Sequence, residues 1–439
     1  MEFEVLKRGH IKRNIIIGVI AVLLISAVIL NFTRAKYRTT ADIPIASGTI
    51  NYSLADLNIV GLYIDGEEAT ELDSSKNYTL DTSRSTCTYK DGSIIDNLSL
   101  SYDSETGELQ ISPFTTKGTK CTLYFNEGIL LKDAILANAK RGEGTPNFSN
   151  TSCTNANDGS NCEEQTVGLY EEQTSLGTTY YFRGDVEDNY LIFADKYWRI
   201  IRVNEDGSVR IIYNGEKSEV DALGRETVLA NGYYSGDFTQ IESSTFNNLS
   251  DKSYYVGFTY TINNQRPSNP NTGESSTIKE ILDSWYISSL QQYDSKIVSA
   301  PGFCNDRNTR SGDNWVTSET DFYYAAYERT NGNPTFECSN SNDLYITKIG
   351  LISADEVIYA GGTDNNSNYG YYLYTGDYYW TISPSYFDGY NAYMFSVDYD
   401  GYLFNDYIDN TYGVRPVINL SADIPLISGN GTISTPYEV

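Results

Sequence analysis

The chain has 439 residues, enough for two or three domains. It contains 58 Asp and Glu against 31 Lys and Arg, so it lacks the basic surface that phosphate binding needs, and we exclude nucleic acid as a partner. Its single histidine, His10, precedes the first apolar segment, which excludes imidazole catalysis or imidazole metal binding in the rest of the chain. Its 39 tyrosines are far above ordinary usage.

An apolar segment near the N-terminus predicts contact with a membrane. Residues 15–30 are all apolar or small, and Asn31 and Phe32 extend the segment to about 18 residues, near the lower limit for a spanning helix. Basic residues precede it, so a transmembrane helix over 14–32 would leave 1–13 as a cytosolic tail and place the C-terminus outside. The alternative is a signal segment cleaved after Ala35, which would release a secreted protein.

All six cysteines follow this segment. An even number of cysteines in an exported chain favours three disulfides. The simplest connectivity joins nearest neighbours, which pairs Cys87 with Cys121, Cys153 with Cys162, and Cys304 with Cys338. A metal site is the alternative, but the spacing contains no CxxC pair.

Short alternating segments predict a small β-sandwich over residues 40–126. They recur at 59–64, 98–102, 108–111 and 121–125, and turn pairs such as Asp65-Gly66 separate them. The opening stretch, AKYRTTADIPIASGTINYS, resembles the membrane-emerging β-sandwich proteins of Gram-positive bacteria of the camelysin and TasA type. That resemblance implies a stalk domain, and it makes a structural envelope or fibre protein one alternative function.

Residues 127–165 are predicted to be a helix followed by a disulfide-pinned linker, because 129–137 have helical spacing and a Gly-, Asn- and Ser-rich stretch follows. The next region, 166–424, contains a hairpin signal at Asp206-Gly207 and helical patterns at 275–286 and 353–357. These features indicate an α+β domain that is mostly β. Residues 425–439 are predicted to be a C-terminal tail.

Five motifs of this region occur in a fixed order: WRII at 198–201, a helix at 277–286, LISADEV at 351–357, YWTISPS at 379–385 and GVRPVINL at 413–420. The series resembles a bacterial domain of uncharacterised function related to the sulfatase-modifying-factor group. The resemblance implies a C-type-lectin-like fold. We expect Trp198, Trp285 and Trp380 in one core near Val414 and Val417, and Arg415 hydrogen-bonded, because an isolated buried guanidinium is costly.

The residues that enzymes of this kind need are missing. Formylglycine-generating enzymes of the related group use cysteines late in the domain, whereas this chain has none after Cys338. No Ser–His or Cys–His pair can form beyond His10. We predict that the protein is not an enzyme and needs no cofactor. An extracellular enzyme of the sulfatase-modifying-factor or glycosidase type is the alternative, because a pair of carboxylates is compatible with the composition.

The segment from Tyr386 to Tyr412 is the predicted binding surface. It is rich in Tyr, Asp and Asn, as antibody paratopes are, where Tyr supplies contact area and Asn and Ser supply adaptable hydrogen bonds. We expect Phe395 and Val397 to face the core while Met394, Ser396 and Asp398 point outward. The predicted ligand-binding residues are Tyr386, Tyr390, Asn391, Met394, Ser396, Asp398, Tyr399, Tyr402, Asn405 and Asp406.

Two further predictions concern the same segment. Asp398, Asp400, Asn405 and Asp406 surround Gly401 and are candidate ligands for calcium, which prefers oxygen donors and which lectin-like folds often bind. In some lectin-like proteins this region is diversified by a retroelement that copies a template repeat with errors at adenines, which turns Asn codons into Tyr, Asp and Ser.

The predicted fold class is therefore α+β, mostly β, with an N-terminal transmembrane helix, a small β-sandwich and a C-type-lectin-like α+β domain. The predicted function is a surface-displayed binding protein, adhesin-like or receptor-like. Its lectin-like head would bind a protein or a glycan outside the cell.

Overall fold

A computed structural model describes residues 58–73, 76, 78–95, 98–103, 107–112, 118–148, 166–217, 236–364 and 367–439. The described residues divide into two compact units, one before and one after the boundary between Gly128 and Ile129. The predicted cytosolic tail, the membrane segment at 14–32 and the Cys153–Cys162 pair lie outside the described residues.

The fold class expected from the sequence needs a correction. In the ranges that the structure describes, the protein is mostly β and forms several separate sheets. No helix in those ranges is long and apolar enough to cross a membrane, since the longest, Thr277–Ser289, has 13 residues. The expected transmembrane helix is therefore not part of the fold described here.

The first unit consists of a mixed sheet and a hairpin. Its strands are β1 (Asn58–Ile64), β2 (Glu67–Ala69), β3 (Tyr78–Leu80), β4 (Thr86–Thr88), β5 (Ser99–Asp103), β6 (Glu108–Ser112) and β7 (Lys120–Glu127). The central β7 pairs in parallel with β1 and antiparallel with β3 and β4, while β5 and β6 pair with each other. Leu100 and Leu109 of the hairpin share a core with Leu123 of β7, so sheet and hairpin pack face to face.

We call the second unit, residues 129–439, the head. Its strands are β8 (Gly168–Thr174), β9 (Gly177–Arg183), β10 (Tyr190–Phe193), β11 (Lys196–Val203), β12 (Val209–Glu216), β13 (Glu242–Ser244), β14 (Thr259–Tyr260), β15 (Glu274–Ser275), β16 (Ile297–Val298), β17 (Phe303–Cys304), β18 (Phe322–Tyr323), β19 (Leu344–Tyr345), β20 (Ile349–Gly350), β21 (Tyr379–Phe387), β22 (Ala392–Val397), β23 (Leu403–Tyr407), β24 (Tyr412–Val414), β25 (Val417–Leu420) and β26 (Tyr437–Glu438). Its α-helices are α1 (Leu131–Asn138), α2 (Thr277–Ser289), α3 (Ala325–Arg329) and α4 (Ala354–Ala360), and short 3-10 helices occupy Gly236–Thr239, Ser253–Val256, Gln291–Lys296 and Ser341–Asp343.

Two sheets organise the head. The larger runs in the order β16-β25-β12-β11-β10-β26, with β20 also on β25 and the β8–β9 hairpin joined to β11. Its centre is the β11–β12 hairpin, whose turn uses Gly207 at φ 82°, as the Asp-Gly signal predicted. The smaller sheet runs β13-β24-β21-β22-β23, with β18 on the free side of β21. The predicted binding segment lies in this smaller sheet.

The ends of the head are more ordered than the sequence suggested. Helix α1 is not part of a linker, because Leu131 and Ile135 are fully buried in the head's core. The predicted tail, 425–439, supplies β26, which pairs in parallel with β10. The Tyr437 hydroxyl donates to the carbonyl of Ala134 at 3.3 Å, so the two ends also contact each other. The head therefore begins near residue 129 and includes the last residues of the chain.

One core joins the residues that the motifs singled out. Trp198 and Trp380 are fully buried and share a core with Val414 and Val417. Trp285 packs against this core, with its ring edge-on to Trp198 at 6.4 Å. Arg415 is also fully buried, and its guanidinium donates to the carbonyls of Tyr213 and Leu373. These core predictions are confirmed.

Two of the three predicted disulfides are present. Cys87 and Cys121 are cross-strand partners on β4 and β7 with Cα atoms 4.1 Å apart, and Cys304 and Cys338 lie 5.5 Å apart. Both separations are within the roughly 7 Å that a bridge can span. Disulfides are typical of proteins that fold in an oxidising environment outside the cytosol.

Candidate functional site

Four tyrosines lie side by side across the smaller sheet. Strand register places Tyr386 opposite Tyr393 and Tyr393 opposite Tyr407, while β18 places Tyr323 opposite Tyr386. Neighbouring ring centroids are 4.5, 5.5 and 4.5 Å apart along this row. Because neighbouring strands are about 4.8 Å apart, the row spans about 14 Å. We call these four residues the tyrosine ladder.

The ladder is partly open to solvent. Tyr407 is 38% exposed, and the other three rings are half-buried. At the Tyr323 end, the Tyr327 ring packs at 4.2 Å and the Arg310 guanidinium lies 4.4 Å from the ring centroid. Each ring is thus held by a neighbour while part of its surface remains available for contact.

A carboxylate supports the ladder at the β21–β22 turn. Asp388 accepts the backbone N–H groups of Tyr390 and Asn391 at 2.8 and 2.5 Å and the Tyr393 hydroxyl at 3.1 Å. Partial burial acts to raise the pKa of Asp388, but these donors outweigh it and hold that pKa below its ordinary value. Burial raises the pKa of Tyr386 and Tyr393 above the ordinary tyrosine value. The phenols of Tyr386 and Tyr393 are therefore neutral at neutral pH and lie beside the negative charge of Asp388.

Several predicted contact residues belong to this face or its rim. Tyr386 is a ladder member, and Tyr390 is 72% exposed in the adjacent turn beside the half-buried Asn391. Asn405 lies two residues before Tyr407 on β23, so it shares the ladder's side of the sheet. Tyr402 is half-buried at the start of the same strand.

The prediction that Met394 and Ser396 point outward to a ligand is wrong. Both are completely buried, as are Phe395 and Val397, whose core positions were predicted correctly. The outward assignment assumed a sheet with one solvated face. Residues 394–397 of β22 are instead buried on both faces of the sheet, and the 3-10 helix Ser253–Val256 packs against this strand.

Two further predicted contact residues, Tyr399 and Asp406, lie on the opposite face of the smaller sheet. Tyr399, 52% exposed, packs 5.5 Å from Tyr378, which stacks on Tyr412 at 4.8 Å. Phe404 joins them, and the Tyr412 hydroxyl donates to Asp406. We call Tyr378, Tyr399, Phe404 and Tyr412 the second aromatic cluster. Phe404 and Tyr407 are three residues apart on one strand, so the cluster and the ladder lie on opposite sides of β23.

The calcium candidates do not fit one site. Asp398 accepts the backbone N–H groups of Asp400 and Tyr402, both at 2.8 Å, and Asp400 accepts the Tyr369 hydroxyl at 2.7 Å. Asn405 and Asp406 are successive strand residues and point to opposite faces. Across the ranges described, no group of three or more His, Cys, Asp or Glu side chains is placed to hold a metal ion.

The sequence prediction missed three ladder members. Tyr393 and Tyr407 lie within the predicted segment, but strand alternation places Tyr393 on the same side as Phe395, which is a core residue. Tyr323 lies 63 residues before Tyr386, and no local pattern links them. Period-two alternation of Tyr393, Phe395 and Val397 was the available signal for a mixed aromatic face.

Comparisons of the chain with family models, curated proteins and solved structures found no match. The C-type-lectin-like and TasA-type resemblances therefore stay predictions.

Proposed function

We propose that this is an extracellular ligand-binding protein, adhesin-like or receptor-like, and that the tyrosine ladder is its contact face. The observation that supports this is the row of four packed, partly exposed rings from four strands. Tyrosine combines apolar contact area with a hydroxyl, and a ring already held by its neighbours loses little freedom on binding. A rigid face of this kind is suited to binding a ligand and not to catalysing a reaction.

The ligand classes that we propose are a protein surface or a glycan. The phenol hydroxyls, the Asp388 carboxylate and the Asn405 amide supply hydrogen-bonding groups next to apolar ring area. Protein surfaces and sugar rings both present apolar groups next to hydroxyl or amide groups. A test of the face must therefore include both classes.

The experiment compares two alanine variants on opposite faces. Wild-type protein is applied to an array of purified extracellular proteins and an array of defined polysaccharides, and the dissociation constant of each hit is measured. Tyr407→Ala removes a ladder ring, while Tyr399→Ala removes an exposed ring from the second aromatic cluster. We expect Tyr407→Ala to weaken binding by about 2 kcal/mol, the size of an interface hot spot, and Tyr399→Ala to have little effect.

Two results would count against this assignment. Loss of binding in Tyr399→Ala with full binding in Tyr407→Ala would move the contact face to the second aromatic cluster. Absence of any saturable hit on both arrays would contradict the binding function itself.

We also propose that any retroelement diversification falls on this face. Tyr390, Asn391, Asn405 and Tyr407 reach solvent, so substitutions there leave the core packing intact, whereas Met394 and Ser396 are fully enclosed. Sequencing the surrounding locus for a reverse transcriptase and a near-repeat of this segment, with differences at adenines of the exposed codons, tests the proposal. Differences concentrated at the enclosed positions would contradict it.

A further inference from the structure

A cleft in the larger sheet shares no residue with the ladder. It has a volume of about 270 Å³ and lies between strands β11 and β12, the β8–β9 turn, segment 335–338 and the first turn of α4. Leu176 and Phe336 supply apolar wall, and both cysteines of the Cys304–Cys338 disulfide line it. The bridge therefore ties segment 335–338 to β17, which also lines the cleft.

Two arginines form the charged part of this cleft. Arg202 and Arg210 are cross-strand partners on β11 and β12, with only 6% and 3% of their side chains exposed. The Nε atoms of both lie close to one oxygen, Oε1 of Glu356, at 3.4 and 2.7 Å. The N–H of Arg210 does not point at that oxygen, so this contact is an ion pair and not a hydrogen bond.

Aromatic rings fix the planes of these guanidinium groups. The Phe336 ring lies 4.6 Å from the Arg202 guanidinium carbon, and the Phe303 ring lies 4.3 Å from that of Arg210. Stacking of this kind suits the planar guanidinium group and restricts its orientation. The donors of both arginines are thereby preorganised.

The two arginines do not use all of their N–H donors in hydrogen bonds to the protein. Nη1 of Arg202 donates to Thr179 and Glu205, and Nη1 of Arg210 donates to the Gly302 carbonyl and to Asn419. Within the part of the chain that the structure describes, Nη2 of either arginine has no protein acceptor. A guanidinium has five N–H donors. Among the described residues, neither Nη2 is one of the fully enclosed polar atoms that lack a partner, so both atoms are open to the cleft.

The carboxylates around the cleft are already engaged. Glu356 also accepts the Ser353 backbone N–H at 3.0 Å, Glu205 accepts the Thr174 hydroxyl at 3.0 Å, and Asp355 binds Arg329 through both oxygens at 2.8 and 3.0 Å. Glu337, which also lines the cleft, accepts the Ser175 backbone N–H at 2.5 Å. Each lining carboxylate therefore already has a partner, whereas the arginines keep unused donors. This arrangement favours a ligand that brings its own acceptors.

We propose that this cleft binds the carboxylate of a small ligand, which accepts hydrogen bonds from Nη2 of Arg202 and Nη2 of Arg210. Paired guanidinium donors match the two oxygens of a carboxylate. The carboxylate can come from the C-terminus of a peptide or from an acidic sugar, and Leu176 and Phe336 contact the apolar part of either.

The experiment titrates the full chain with two matched pairs of probes by calorimetry. N-acetylglycine is compared with N-acetylglycinamide, and glucuronic acid with glucose. Saturable binding of at least one acid, with its neutral partner weaker by about tenfold or more, supports the proposal, since a charge-assisted pair is lost. Which acid binds identifies the source of the carboxylate. Absence of saturable binding by both acids, or equal binding of acid and neutral partner, overturns it.

Variants then place the binding in the cleft. Leu176→Trp fills the mouth without altering a buried charge, and Leu249→Trp is the matched change at an exposed leucine elsewhere in the head. We expect Leu176→Trp to weaken binding about tenfold or more, and Leu249→Trp to bind as the wild type does. Arg210→Lys keeps the charge but removes the Nη2 donors, and should also lose binding. Because Arg210→Lys can also unfold the head, Leu176→Trp is the deciding variant. If Leu176→Trp binds the acid with wild-type affinity, the proposal is overturned.

Discussion

Arg202 and Arg210 lie directly opposite each other on two paired strands, and the Nε atoms of both contact the same carboxylate oxygen of Glu356. Glu356 thus faces both buried cations at the centre of the larger sheet, and Arg202 also pairs with Glu205 at 3.3 Å. Desolvation, assisted by the neighbouring charge of Arg202 and opposed by Glu356, lowers the pKa of Arg210 to about 10.

Replacing this carboxylate should destabilise the head strongly. Glu356→Gln keeps the shape but leaves the two guanidinium groups without their shared counter-ion, and we expect a loss of about 3–5 kcal/mol in the free energy of unfolding. Denaturant unfolding followed by tryptophan fluorescence measures it, because all four tryptophans lie in the head. Asp283→Asn, which breaks the half-exposed pair with Lys279 on α2, is the control and should cost under about 1 kcal/mol. Equal effects of the two variants would show that the central network contributes little.

The two disulfides should act on different units. Replacing Cys304 and Cys338 by Ser should lower the free energy of unfolding of the head by about 3–4 kcal/mol, because the bridge closes a loop between residues 34 apart in sequence. Cys87 and Cys121 have the same sequence separation but lie in the first unit, so their double replacement is a matched control. We expect that control to leave the tryptophan-detected transition largely in place. A larger shift from the control than from the head variant would contradict this prediction.

Mutations in the buried core of the smaller sheet and in the tyrosine ladder should have different effects on stability. Phe395→Ala removes a buried ring and should destabilise the head by about 3–5 kcal/mol. Tyr407→Ala removes an exposed end of the ladder and should cost under about 1 kcal/mol, the scale of one cross-strand pair. Chemical unfolding of both variants tests the difference. If Tyr407→Ala unfolds the head as readily as Phe395→Ala, the ladder is a structural element and its proposed role in binding fails.

Alkaline pH should unfold the head cooperatively. Burial raises the pKa of Tyr379 and Tyr437 to about 12 and raises those of Tyr324 and Tyr372 further. In the unfolded chain these phenols lose protons near pH 10, so the folded state holds more protons between pH 10 and pH 12. Stability is therefore complete below pH 10 and falls as the pH rises toward 12.

Absorbance of tyrosinate at 295 nm, recorded together with circular dichroism, measures this transition. A subset of the tyrosines should ionise only as the secondary structure is lost, whereas the protein in concentrated urea should titrate in one step near pH 10. Complete ionisation with native dichroism would show that these rings are more accessible than the structure indicates.

Local patterns predicted much of the head but not the tyrosine ladder that we propose as its binding face. The β11–β12 hairpin follows from Asp206-Gly207, α2 from the spacing of Ile278 and Leu282, and the two bridges from the order of the cysteines. Each of these depends on short-range chemistry or on a simple pairing rule. They are the features that one sequence can specify.

The errors depend on contacts between distant segments. Met394 and Ser396 are buried because a second layer covers β22, and the strand's own alternation cannot reveal that layer. The ladder needs Tyr323, which reaches Tyr386 only through pairing of β18 with β21. The free donors of Arg202 and Arg210 depend on which acceptors four separate segments bring to them.

The contacts that join the two ends of the head have a practical consequence for protein production. Leu131 donates its backbone N–H to the Ile424 carbonyl, Leu426 donates to the Ile129 carbonyl, and β26 completes the edge of the larger sheet. A fragment trimmed to 166–424 would lose a helix and an edge strand, and would expose apolar surface that promotes aggregation. Because Ile129 at the start of the head is hydrogen-bonded to Leu426 and Ala134 is hydrogen-bonded to Tyr437 near its end, the region 129–439 is also suited to transplantation into a loop of a carrier protein as a single display cassette.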